Sequence, residues 1–394
     1  MTGQAVAGGY GVTLNPASAN TPYWAAAASA VPAVENAWTD APSQLKDAPL
    51  NADYLVIAPE EVKPAAQALA DYRKTKGFST AVVDLEDIMD EFNNGLSSPK
   101  AIRDFLTQAY NQWEVSPRIV VLAGAGSYDY QNYKGFNDSL IPPLLVQTPY
   151  EVAASDNSLG DVVGNDGLPE IIIGRIPAVN NAELQAYVDK VKAYESAAAA
   201  PWMQQVVLAA DNADGAGDFP KDSNDLADLV VGPYQTQKIY LGAVAATRAG
   251  VLNALNQGAA YFNYLGHGNA SQLANEKLLV QNDVTGLTNG GRLPVALFLT
   301  CAAADFSRPG FDSLGEALML KPNGGAIAVW GPTGLSLSSE AKQFGDEFFN
   351  QTFRLGKGVL GESVSEAYQH YGANHYRFML DIYGILGDPA LQMK

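Results

Sequence analysis

Short, mostly apolar runs alternating with amphipathic helical stretches constrain this chain more than any other feature. The runs at 54–58, 79–83, 118–123 and 169–177 are separated by helical patterns at 62–76, 99–113 and 181–195. In the second of these helices Ile102, Phe105, Leu106 and Ala109 share one face, the spacing of a helix packed on a sheet. Mostly apolar strands spaced by helices of about 10–15 residues pair in parallel through right-handed crossovers. After a seam at Ser196-Ala-Ala-Ala-Ala-Pro201 the alternation restarts, with strands at 205–210, 237–240, 259–265, 293–300 and 325–330. Helical patterns at 222–231, 248–256, 338–355 and 360–371 accompany them. The chain is therefore expected to be α/β, with two doubly wound, mostly parallel-sheet subdomains at 51–200 and 201–394. Residues 1–50 are rich in Ala, Gly, Asn, Ser and Pro without periodicity. They read as a weakly structured leader or arm, docked through Tyr23 and Trp24.

Charge and composition remove several classes of function. The 394 residues carry a net charge of −18, which opposes nucleic-acid binding and favours cationic substrates. One cysteine excludes an internal disulfide, and no Cys/His cluster has zinc-site spacing. No run approaches the roughly 18 apolar residues of a membrane span. Residues 1–9 lack the basic and then apolar pattern of a signal peptide.

Two strand patterns each end in a reactive side chain. Tyr264-Leu-Gly-His-Gly268 delivers His267, and Leu293 to Thr300 delivers Cys301, 34 residues later. In an open α/β sheet the carboxyl ends of the strands are where ligands bind. A thiol beside an imidazole is a nucleophile at neutral pH. The backbone N–H groups of Gly268 and Cys301 are candidates for an oxyanion hole. Taken singly, Cys301 reads as a small buried hydrophobe and His267 as a structural histidine. Their matching placement at two strand ends is what points to chemistry.

These residues, with Ser313-Leu-Gly-Glu-Ala-Leu318 and Asn323-Gly-Gly-Ala-Ile-Ala328, resemble the gingipain-type cysteine peptidases, which have a caspase-like fold. The resemblance extends to Leu55-Val-Ile-Ala-Pro59, Ala101-Ile-Arg-Asp-Phe105, Ile141-Pro-Pro143, Gly174-Arg175 and Leu386-Gly-Asp-Pro-Ala390. It implies Cys301 as nucleophile, His267 as catalytic histidine, and a secreted or cell-surface protein with peptide substrates. It also implies an acid in the loop 211–218 that orients the histidine, filled here by Asp214 or Asp211. Arginine-cleaving members use a further acid to hold the substrate side chain. Asp222 is the nearest match, although the residue by itself reads first as a helix N-cap. Members bind structural calcium, and the turn 155–166 offers oxygen ligands suited to it. No cofactor is needed for the chemistry. The chain departs from the family where Gly124-Ala125 replaces a Gly-Asp pair.

The leading expectation is a cysteine endopeptidase working by thiol acyl transfer, cleaving after a basic residue. The alternatives are a sortase-like transpeptidase of the same fold, in which an amine replaces water, and a non-catalytic scaffold or binding module.

Overall fold

The apolar runs assemble into a single ten-stranded sheet. It is seen in a computed structural model that describes residues 4–7, 9–11, 42–372 and 375–394. Residues 1–42 form one unit, in which Gln4–Val6 pairs antiparallel with Gly9–Gly11; Tyr23 and Trp24 lie outside the described residues. Residues 43–394 form the other unit.

Within it, the first part of the chain supplies β1 (Tyr54–Ala58), α1 (Lys63–Thr75), β2 (Thr80–Asp84), α2 (Leu85–Asn93), α3 (Pro99–Gln112), β3 (Ile119–Ala123), β4 (Ile172–Ile176) and α4 (Asn181–Ser196). After the seam come β5 (Gln205–Ala210), α5 (Phe219–Ala227), β6 (Gln235–Tyr240), α6 (Val244–Gln257), β7 (Tyr261–Leu265), β8 (Val295–Leu299), α7 (Leu314–Leu320) and β9 (Ala328–Pro332). The last elements are α8 (Ser338–Phe349), α9 (Leu360–Tyr371) and β10 (Tyr383–Leu386). Across the sheet the order is β6-β5-β7-β8-β9-β10-β4-β3-β1-β2.

Every neighbouring pair is parallel except β9 with β10, where Pro332 faces Tyr383 and Val329 faces Leu386 in antiparallel register. Strand β10 is parallel to β4. The sheet therefore consists of two oppositely directed halves, and their carboxyl edges lie at opposite ends of the strands.

Local chemistry accounts for the element ends. Asp84 caps α2 by accepting from Glu86 N–H at 3.0 Å, and Ser98 caps α3 by accepting from Lys100 N–H at 3.2 Å. The 338–355 pattern is α8 continued by a π-helical turn over Asn350–Arg354.

The sequence reading misses α2 and β10, and it starts α5 too late. Order also begins before Tyr54. Leu45 is buried, and the Leu45 and Lys46 N–H groups donate to Glu91 at 2.7 and 2.9 Å. Residues 43–48 are thereby clamped to α2 rather than belonging to a loose arm.

Two of the motifs behind the resemblance tie distant parts of the chain together. Asp388, in Leu386-Gly-Asp-Pro-Ala390, receives Arg73 Nε at 2.7 Å and Tyr54 Oη at 3.0 Å, all buried. Arg73 also reaches Glu195 at 2.8 Å. A Cβ on Gly174 would lie 2.4 Å from the Gly387 carbonyl, so only glycine lets that segment cross β4. Arg175 grips Asp156 with two hydrogen bonds of 2.6 and 2.8 Å.

Candidate active site

Strands β7 and β8 lie side by side with Leu265 opposite Leu299, so their tips carry His267 and Cys301 to one edge. On the other flank of β7, Leu265 faces Ala210 of β5, which adds Asp211. The three residues surround the point where the strand order reverses between β5 and β7, the crevice that open α/β sheets use for ligands.

The backbone at this point is tightly specified. Gly266 has φ 152°, and a Cβ there would sit 2.4 Å from Asp211 Cβ and 2.7 Å from the Tyr264 hydroxyl. Glycine is required for the chain to pass. Tyr264 donates its hydroxyl to the His267 carbonyl at 2.7 Å, and His267 N–H donates to Asp211 Oδ2 at 3.2 Å. Asp211 thus holds the histidine backbone, and burial raises its carboxyl.

Asp214 is the acid on the ring, with Oδ2 lying 2.8 Å from His267 Nε2. Its Oδ1 accepts from Ala216 N–H at 2.7 Å. That bond, followed by the histidine, holds the carboxyl below the ordinary range. The ring of Phe219 stands edge-on to the imidazole with centroids 5.4 Å apart. With Nε2 committed to Asp214, Nδ1 is the nitrogen left for a proton transfer.

His267 and Cys301 line one cleft of about 50 Å³ together with Ala216, Phe219, Thr300, Ser336 and Ser338. Ser336 N–H donates to Cys301 Sγ at 3.4 Å, and the thiol reaches the Ser336 carbonyl at 3.6 Å. Burial pushes the thiol pKa up; Ser336 N–H offsets part of this and the charge of Glu151 adds to it. A thiol in these surroundings rests protonated and needs a base at the moment of attack. The next residue, Ala302, is left-handed at φ 50°, and its N–H donates to the Gly334 carbonyl at 2.9 Å. Gly268 is packed so that a Cβ would lie 2.5 Å from Thr300 Oγ1.

Asp222 is not brought to this cleft. It lies one turn into α5, where burial raises its carboxyl and Lys342 of α8 opposes that rise. The N-cap of α5 is Asp218, which accepts from Lys221 N–H at 3.1 Å. The capping reading of Asp222 is thus corrected by four residues. Pro220 in the first turn was the available signal.

The 155–166 turn is turned toward cations of the chain itself. Asp156 spends both oxygens on Arg175. Asp161 accepts from Gly167 N–H at 2.9 Å and faces Arg377 at 3.4 Å. Asp166 accepts from Leu168 N–H at 3.0 Å. Asp156 and Asp161, set against guanidinium groups, do not fit a calcium ion as arranged, and no group of three or more His, Cys, Asp or Glu among the described residues is placed to hold a metal. Ala125 sits in a buried turn at the first half's carboxyl edge, its N–H donating to the Ala178 carbonyl at 2.9 Å.

Ser336, Phe219 and Tyr264 escaped the sequence reading. Ser336 and Phe219 meet the site from distant segments, for which no local pattern exists, whereas Tyr264 lies within the quoted motif, three residues from the carbonyl it bonds.

Comparison with known proteins follows the same lines. Gingipain R2 of Porphyromonas gingivalis is 24% identical over 365 residues, covering 87% of this chain and 46% of the relative. Gingipain R1 of Porphyromonas gingivalis is 24% identical over 367 residues, covering 87% of this chain and 34% of the relative. This chain spans about half the length of the first and a third of the second. The crystal structure of the Arg specific cysteine proteinase gingipain R superposes with a TM-score of 0.73 at 24% identity, covering 89% of this chain and 80% of that one. The fold is thus the gingipain-type, caspase-like α/β fold that the motifs implied. The model of the family described as "Peptidase family C25" matches residues 47–394, and the chain belongs to that family.

Proposed function

We infer that this chain hydrolyses peptide bonds by thiol acyl transfer, with Cys301 as nucleophile and His267 as its base. The observation that carries this reading is the His267 ring fixed by Asp214 at 2.8 Å while lining the same cleft as Cys301. The protonated thiol passes its proton to His267 Nδ1 as sulfur adds to the peptide carbonyl. Charge then develops on the carbonyl oxygen, for which the Gly268 and Cys301 N–H groups are the donors in this reading. His267 returns the proton to the departing amine, leaving a thioester. Water, deprotonated by the same imidazole, releases the acid and restores the thiol.

The reading extends to a basic residue before the scissile bond, supported by the net charge of −18 and by the arginine specificity stated for the crystallised gingipain R. In this reading Asp222 is the candidate for that side chain, with the charge of Lys342, itself paired with Asp346, already nearby. Secretion or surface display is part of the same reading; no helix among the described residues is long and apolar enough to cross a membrane.

Peptide-library cleavage by the full chain, with products read by mass spectrometry with and without an added amine, tests the proposal. Water-terminated products that vanish in Cys301→Ala support it. Amine-terminated products alone establish the transpeptidase instead. No cleavage together with an inert thiol leaves a scaffold. A profile without Arg or Lys preference removes the role of Asp222.

A further inference from the structure

The segment 333–336, which follows β9, grips the nucleophile from two sides. Gly334 accepts the Ala302 N–H at 2.9 Å, and Ser336 N–H points at Cys301 Sγ at 3.4 Å. Ala302 holds a left-handed φ of 50°, a conformation costly for a residue with a Cβ unless its surroundings enforce it. The seat of Cys301 therefore depends on what holds 333–336.

Part of that hold comes from the other half of the sheet. A hairpin in the β3–β4 crossover, Leu145–Gln147 with Val152–Ala154, reaches across to the 333–336 segment. Thr333 donates its hydroxyl to the Ala154 carbonyl at 2.6 Å, and Leu335 N–H donates to Glu151 Oε1 at 2.6 Å. Glu151 is itself fixed by the hairpin turn, where its N–H donates to Thr148 Oγ1 at 3.0 Å and its carbonyl accepts that hydroxyl at 2.8 Å. Its carboxylate borders an open pocket of about 220 Å³ with Tyr128, Asp305 and Arg308, so a change of charge there needs no repacking.

We propose that Glu151 is a positioning residue for the nucleophile, fixing through Leu335 the segment that seats Cys301. The proposal rests on Cys301 being the nucleophile. The groups around the thiol are His267 from the tip of β7, Tyr383 from β10 and Glu151 from the hairpin. Of these, only Glu151 is an anion. It acts on the thiol in two separable ways, as a hydrogen-bond acceptor for the segment and as a nearby negative charge.

Two variants separate the two roles. Glu151→Gln keeps an acceptor for Leu335 N–H and removes the charge, whereas Glu151→Ala removes both. The readouts are kcat and KM on fluorescently labelled casein, and the pH profile of Cys301 alkylation by iodoacetamide, each in the full chain. Glu151→Ala is expected to lower kcat roughly tenfold to a hundredfold with little change in KM, the scale of a misplaced reacting group. Glu151→Gln is expected to restore most of that kcat and to move the alkylation profile to lower pH, because the anion opposing the thiolate is gone. Wild-type kcat in Glu151→Ala overturns the proposal. So does a tenfold or larger loss of kcat in folded Glu151→Gln, which keeps the acceptor for Leu335 N–H, and this decides the matter even where the alanine variant does not fold. Absence of casein hydrolysis in the unaltered chain is a failure of the peptidase reading instead, and the alkylation profiles still report on Glu151.

Discussion

The two halves of the sheet share one strand order, β2-β1-β3-β4-β10 in the first and β6-β5-β7-β8-β9 in the second, and they use it differently. Between β5 and β7 the crevice holds Asp211, His267 and, one strand on, Cys301. The equivalent place between β1 and β3 ends in Ala58 and in Ala123, Gly124 and Ala125, all buried and without a titratable group. Buried charge is treated differently as well. The first half holds the fully buried ion pairs, Arg73 with Asp388 and Glu195, and Arg175 with Asp156. The second half buries Glu316 against Ser313 with no cation, and burial pushes its carboxyl up to about 8. Topology supplies a place for chemistry, and side chains decide whether it is taken.

The comparison breaks most sharply at Cys301. Cys301→Ala should lower peptide hydrolysis on the order of ten-thousandfold, while thermal unfolding shifts by no more than about a kcal/mol for so small a side chain. Residual turnover near the wild-type rate would move the chemistry elsewhere, the first half included.

Arg73→Ala tests the opposite assignment, that the first half works by structure alone. Removing the guanidinium leaves Asp388 buried and unpaired, which should cost about 3–5 kcal/mol in denaturant unfolding. The fraction that remains folded should turn over substrate at the wild-type rate. A lowered kcat per folded molecule would mean that the halves are coupled through more than the 145–154 hairpin.

Asp214→Ala should reduce kcat roughly a hundredfold, the lower range for general acid–base contributions, with alkylation of Cys301 by iodoacetamide less affected. An unchanged kcat would return the orienting role to Asp211.

The smallest expected effect sharpens the contrast in buried charge. A carboxyl raised to about 8 in the fold and ionising near 4.5 when unfolded keeps its proton longer in the native state. Its contribution to stability therefore falls as pH rises through that window and levels off above 8. Glu316→Gln has no such proton to hold, so its stability relative to the unaltered chain should grow by about 1 kcal/mol from pH 6 to pH 7. Parallel unfolding curves at the two pH values would show Glu316 to be ionised in the fold. The raised thiol of Cys301 predicts, on the same footing, an alkylation rate in the free protein that still climbs at pH 9.

What could be read from the sequence follows the range of the interactions. Continuous apolar strands such as Leu55–Ile57 and Val295–Leu299, and the one-sided helix with Phe105, announce themselves within a few residues. His267 and Cys301 were visible because strand ends mark positions. Strand β10 was not, since Tyr383-Gly-Ile-Leu386 is four residues long with a glycine inside. Its place beside β4 is settled by partners some 200 residues away. Which of Asp211 and Asp214 lies against the imidazole depends on a loop conformation: Asp211 directly follows β5 and accepts the His267 N–H, and Asp214 lies in the turn that faces the ring. Glu151 meets Leu335 across 184 residues, and no local pattern carries that information.

The junction between the halves also sets an order of assembly. Strand β10 is the last of the sheet's strands to be synthesised, and it is the one that joins the halves. The Thr333 N–H, at the head of the segment that seats Cys301, donates to the Ile382 carbonyl at 2.8 Å, immediately before that strand. A nascent chain that has not yet delivered residues 382–386 carries the thiol and the imidazole but lacks the frame that aligns them. In the peptidase reading, cutting by a growing chain therefore waits on residues 382–386, which are made well after the thiol and the imidazole.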